Sequence, residues 1–344
     1  MKQLFSFLLI LSCICCSTKR NLPDVSAIKV DLKTTRFEQS FFAIDTSKMD
    51  ASIQHLFEQH KGFSQDFLFN ILGTPNHPDS VMHDAKLFFA TYKSIYTEAE
   101  KVFANFSATE ASIKEGLQYV HYYFPSYLLP TKLYTFVGPL NSYASIITPS
   151  NELAVGLQLY LGKNYSVYQS EEVQVMYPAY ISRRFDKAFI PTNCMKNIID
   201  DLFLNLQKQK KGQQLVEQMI EEGKRLYLLD AFLPNEADSI KTGYTNNQLK
   251  ACMANEKNIW SFFVQSDLLY QNDPSQISSF VNDGPNTPEF GEACPGNIGL
   301  FVGWQIVKKW MEKQPDATKD KTVLTKLIQS APKTIFDEAK YKPH

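Results

Sequence analysis

The sequence predicts an α+β protein that is predominantly helical, with a small three-stranded sheet in the middle of the chain. Two observations carry this. Apolar residues recur at three- and four-residue spacing across 47–124 and again across 192–340. Between them, within 131–161, lie three short runs of β-branched and aromatic residues, broken by Gly138-Pro139 and Thr148-Pro149. Helices, then strands, then helices to the end is the order of an α+β protein rather than of repeated βαβ units. Residues 28–344 are expected to form a single globular domain.

The first twelve residues read as a lipoprotein signal. Met1-Lys2-Gln3 is a short positive start, and 4–11 (LFSFLLIL) is an apolar run. That run is too short for a bilayer, which takes ~20 residues, and has the length of a secretory core. Ile10-Leu11-Ser12-Cys13 resembles a lipobox, in which the cysteine sulfur receives the diacylglyceryl group. Cys16 is the weaker candidate, because Cys13 and Cys15 stand at its −3 and −1 positions. The alternative is an ordinary signal peptide with incidental cysteines. A lipid anchor would hold the body at a membrane through about 0.8 kcal/mol per buried CH₂. No later stretch offers ~18 consecutive apolar residues, so no other membrane span is expected. Residues 17 to about 27 are polar and unpatterned, and 13–27 is taken as a tether.

Beyond the tether, 27–32 (AIKVDL) alternates weakly and is a candidate strand. Leu87, Phe88, Ala90, Thr91, Ile95 and Ala99 mark one long helix, and Ile113, Leu117, Val120 and His121 a second, ended by Pro125. The strands are expected at 132–137 (KLYTFV), 143–147 (YASII) and 153–160 (LAVGLQLY). Thr192 is placed as the N-cap of a helix to about 207, with Met195, Ile198, Ile199, Leu202 and Phe203 on its apolar face. Gly212 breaks it, and 216–231 follows, with Pro234 beyond its end. Helical segments at 246–270, 274–281, 298–311 and 323–330 complete the chain.

Composition excludes several functions. Lys and Arg total 35 against 36 Asp and Glu, so there is no cationic surplus to hold a phosphate backbone, and no nucleic acid is expected as partner. With 44% hydrophobic and 21% charged residues the chain can bury a core and is not a disordered tail. The histidines are His55, His60, His77, His83, His121 and His344, and none is paired as H-E-x-x-H. His55/His60 and His77/His83 lie five and six apart, spacings that do not share a helix face. No G-x-S-x-G, Walker loop or dinucleotide fingerprint is present. Cys194, Cys252 and Cys294 are widely spaced and form no C-x-x-C; they read as buried thiols, although one pair can oxidise in a periplasm. No metal, cofactor or catalytic residue is expected.

Two local features stand out. Glu221-Glu222-Gly223-Lys224-Arg225 places charges and a glycine inside an otherwise apolar helix. A mid-helix glycine costs roughly 1 kcal/mol against alanine, so a close neighbour on that face would explain it, with a solvated face beside a tight crossing as the plainer reading. Cys294-Pro295-Gly296-Asn297-Ile298-Gly299 leads into Gly303-Trp304. It is either a helix start able to hold an anion or a buried helix packed through two glycines.

Taken in order, the motifs resemble the gliding-motility lipoprotein GldB family of the Bacteroidetes. The matching stretches include Arg36-Phe37-Glu38, Phe41-Phe42, Tyr122-Tyr123-Phe124-Pro125, Gly156-Leu157-Gln158-Leu159-Tyr160-Leu161-Gly162 and Met219-Ile220-Glu221-Glu222-Gly223-Lys224-Arg225-Leu226-Tyr227-Leu228. They continue with Gly243-Tyr244-Thr245, Pro295-Gly296-Asn297-Ile298-Gly299, Gly303-Trp304-Gln305-Ile306-Val307 and Lys340-Tyr341-Lys342-Pro343. Asn297 stands where the resemblance leads one to expect arginine. The resemblance implies an envelope lipoprotein, at the periplasmic face of the outer membrane, needed for gliding and tied to type IX secretion, with other envelope proteins as partners. It also implies a distant likeness to predicted zinc peptidases, and hence a degenerate zincin-like scaffold. Where those have H-E-x-x-H, this chain offers Lys196-Asn197-Ile198-Ile199-Asp200. Lysine gives no neutral imidazole donor. Lys196 paired with Asp200, facing Glu222 and Arg225, would fill such a pocket with charges instead. The competing readings are a hydrolase with unconventional ligands and a peptide- or carbohydrate-binding lipoprotein.

Overall fold

The computed structural model describes residues 22–206 and 213–343. The signal segment, Cys13, Cys16 and the break at Gly212 lie outside the described residues. The sheet has four strands rather than three: β1 (Lys33–Arg36), β2 (Lys132–Phe136), β3 (Ser145–Ile147) and β4 (Leu153–Gly156), in spatial order β1-β2-β4-β3. β1, β2 and β4 run parallel, and β3 is antiparallel to β4. The first strand is not the alternating 27–32 but the KTTR that follows it. An edge strand forms where a partner can read its backbone, and Lys132 to Thr135 pair with Lys33 to Arg36. β4 also stops early, at Gly156, where a Cβ would sit 2.3 Å from the Tyr143 carbonyl oxygen. The chain there turns into a short 3-10 segment, Leu157–Leu159, instead of extending to residue 160.

Between β1 and β2 come α1 (Phe37–Phe42), α2 (Met49–Gln59), α3 (Pro78–Val102) and α4 (Ser107–Tyr123), with a π-helical turn at Asp66–Ile71. Their apolar faces meet in an aromatic cluster that reaches the sheet, where Phe63 stacks on Tyr134 at 4.3 Å. The buried face of α3 is Ala85, Phe88, Ile95 and Ala99. Leu87 is 58% exposed, and Ala90 and Thr91 also face outward, so the expected face is rotated. A polar knot ties this half together. The Arg36 guanidinium pairs with buried Glu38, reaches Glu100 at 3.0 Å and donates to the Phe103 carbonyl at 2.9 Å. Thr135 Oγ1 donates to Glu38 at 2.7 Å, and burial raises the Glu38 carboxyl above its ordinary value despite Arg36.

After the sheet come α5 (Ile190–Leu206), α6 (Leu215–Phe232), α7 (Asn246–Ala254), α8 (Glu256–Gln265), α9 (Pro274–Val281), α10 (Ile298–Met311), α11 (Thr322–Gln329) and α12 (Pro332–Ala339). Thr192 is not a cap. Asp186 caps the 3-10 turn leading into α5, accepting from the Ala188 amide at 3.0 Å, and the Thr192 hydroxyl is buried without a hydrogen bond. α5 lies against the sheet, where Asn197 donates to Ser145 and Asn193 to Tyr160, each at 2.8 Å.

α6 and α10 cross with their backbones in contact. A Cβ on Gly223 would lie 2.3 Å from the Gly303 carbonyl, and one on Gly303 would lie 1.6 Å from the Met219 oxygen. Either methyl would have to separate two helices whose flanks, Trp304 and Trp310 among them, are fully buried. Gly303→Ala should therefore cost about 3 kcal/mol or more in urea unfolding, at the upper end of overpacking penalties. Gly62→Ala, whose Cβ would meet nothing nearer than 3.9 Å, should be neutral or stabilising by up to about 1 kcal/mol.

Candidate functional site

The crossing at Gly223 leaves another face of α6 toward α5, and a cavity of about 940 Å³ opens there. α5 contributes Lys196 and Asp200, α6 contributes Glu222 and Arg225, and Arg184 and Asp283 join from the segments before α5 and after α9. All four residues singled out in the sequence thus line one cavity. Arg184 and Asp283 were missed, because neither lies in a periodic pattern or motif that reports its position.

The pairing within the cavity differs from the expected one. Asp200 does not pair with Lys196. Its Oδ1 accepts from Arg225 Nε at 3.0 Å, and the same guanidinium stacks on Phe203 and stands 3.7 Å from Glu222. Among the described residues Lys196 has no hydrogen bond and no ion pair. Burial lowers the pKa of its ammonium, and Arg184 lowers it further, against weaker opposing pulls from Asp283, Glu222 and Asp200. Burial likewise raises the Glu222 carboxyl against the pull of Arg225, although 46% of that side chain is open to the cavity. Desolvation thus disfavours the charged form of both.

The remaining charges of this stretch are structural. Lys224 is fully buried, and its ammonium donates to Glu221 at 2.8 Å and to the Ser330 carbonyl at 2.7 Å, just past the end of α11. A cation there meets helix-end carbonyls that no intrahelical amide can reach. Asp230 accepts from Trp304 Nε1 at 2.8 Å and pairs with Lys241, so α6, α10 and the turn at Asp238–Thr242 are tied through one carboxylate.

The turn at 294–299 is built for packing. Gly296 lies against Gly284 and Gly299 against the Phe280 carbonyl, at 2.4 and 2.7 Å from a would-be Cβ. Asn297 adopts φ 57° and ψ 47°, which asparagine tolerates better than most residues, and its side chain does not cap α10. Its carbonyl accepts from Tyr244 at 2.6 Å. Cys194, Cys252 and Cys294 are buried free thiols, and those of Cys252 and Cys294 hydrogen-bond each other. Among the described residues no three His, Cys, Asp or Glu side chains gather as metal ligands.

The family model described as gliding motility protein GldB matches residues 18–343 of the chain. No curated protein and no solved structure matches it.

Buried and cavity-facing charges should respond differently to substitution. Lys224→Met should cost about 3–5 kcal/mol in chemical denaturation, because it strips a buried carboxylate and a helix end of their cation. Adding Glu221→Leu should recover part of that loss. Arg225→Gln, which breaks a partly exposed pair, should cost no more than about 1 kcal/mol.

Proposed function

The chain belongs to the gliding motility protein GldB family, and on that premise we propose that it is a lipid-anchored envelope protein acting by contact within the gliding and type IX secretion machinery, without catalysis of its own. In this reading Cys13 carries the lipid and the body faces the periplasm from the outer membrane. The observation that carries the family role is the match across nearly the whole chain after the signal. No helix of the described residues is long and apolar enough to cross a membrane, which leaves the N-terminal segment as the candidate attachment.

The non-catalytic reading rests on residue types. We read the order sheet, α5, α6 as a scaffold akin to predicted zinc peptidases, with Lys196 and Asp200 where two imidazoles would stand. An ammonium cannot donate a lone pair to zinc, and the Asp200 carboxylate is engaged by Arg225. Partners would be other envelope proteins of the same apparatus.

Cells lacking the chain should fail to spread on surfaces and to secrete type IX cargo; normal spreading would overturn the proposed role. Cys13→Ser should shift the protein out of the membrane fraction and fail to restore spreading. The purified chain should cleave no peptide in a chelator-sensitive way, and metal-dependent cleavage would restore the enzyme reading.

A further inference from the structure

We propose that the cavity between α5 and α6 binds a small organic anion, a carboxylate or a phosphate ester, with its charged group held between Lys196 and Arg184. This goes beyond the role in motility and does not depend on it.

The argument is a count of charges in place. Arg225 is matched by Asp200, Lys241 by Asp230 and Asp238, and Lys224 by Glu221. In the same cavity Arg184 meets Asp283 at 2.6 Å. Lys196 lines the same cavity and feels the charges of both, with no ion-pair partner within 4 Å among the described residues. Arg184 thus has a direct carboxylate partner, 52% exposed, and Lys196 has none among the described residues. A partly desolvated ammonium next to a guanidinium is an unfavourable arrangement that an added anion would relieve. The acids that might have served are already held: Asp200 by a hydrogen bond from Arg225, with Glu222 beside the same guanidinium.

The size of the space points to an organic ligand. At about 940 Å³ the cavity far exceeds a bare ion and falls within the range of small-molecule sites. Ile199, Leu229 and Leu300 supply apolar wall for a carbon skeleton.

The test uses the full chain in a non-ionic detergent and a buffer free of competing anions. Hexyl phosphate, hexanoate, inorganic phosphate and acetate are titrated by calorimetry. At least one hexyl probe should bind saturably and at least tenfold more tightly than its bare ion, and whichever binds better identifies the anionic group. Lys196→Met should weaken binding tenfold or more, Lys196→Arg should stay within about threefold, and the exposed control Lys163→Met should change nothing. Should Lys196→Met fail to fold, acetylation of Lys196 by limiting acetic anhydride, read by mass spectrometry, should be slowed several-fold by the bound probe. Absence of saturable binding by all four probes would overturn the proposal. So would binding that Lys196→Met leaves intact, or labelling that no probe slows.

Discussion

The backbone contact between α6 and α10 at Gly223 and Gly303 is the constraint on which this half of the molecule depends. Two helices packed through side chains keep some freedom to slide and roll, but two packed through main-chain atoms do not. The contact sets the rotation of α6 about its own axis. That rotation sends Lys224 into the core toward the end of α11 and brings Asp230 to the Trp304 indole. It also leaves Glu222 and Arg225 looking across at α5. A cavity lined by charge and a core stitched by charge are thus two faces of one helix, separated by the phase that a glycine imposes.

Much of this was legible in the sequence, and the parts that were not share a cause. α9 and α10 coincide with the expected 274–281 and 298–311 because a proline or a Gly-Asn turn marks each start. The glycine inside the Glu221–Arg225 stretch did signal a close neighbour. Local patterning failed where a distant partner decides. β1 is placed by β2, about a hundred residues later, rather than by its own alternation. On α3 the clusters of α1 and the π-helical turn choose which stripe is covered, so Leu87 lies outside it. Thr192 has the chemistry of a cap, but Asp186 reaches the preceding turn first. In the site, Lys196, Asp200, Glu222 and Arg225 converge as expected, yet which acid meets which base was not readable. Arg184 enters from an irregular segment, and its presence changes the neighbourhood of Lys196.

The buried charges obey a division of labour. Lys224, Lys241 and Asp230 are deeply enclosed and each has direct partners, so their desolvation is offset where they sit. Lys196 is the exception: partly buried, bordering open space and, among the described residues, without an ion pair. Stability alone would favour a methionine or a leucine at such a position. Retaining an ammonium there is a cost that the fold does not recover by itself.

The parallel pairing of β1 with β2 carries a mechanical meaning for any load applied at the N-terminal end of the described residues. Tension applied ahead of Lys33 pulls β1 along its own axis, past a neighbour running in the same direction. Evenly spaced, slanted ladder bonds then bear load together instead of unzipping one after another. The Arg36 guanidinium, clamped to Glu38, Glu100 and the Phe103 carbonyl, acts as a peg at the far end of the strand. A pull on the segment ahead of Lys33 would thus meet the first strand in shear rather than in peeling.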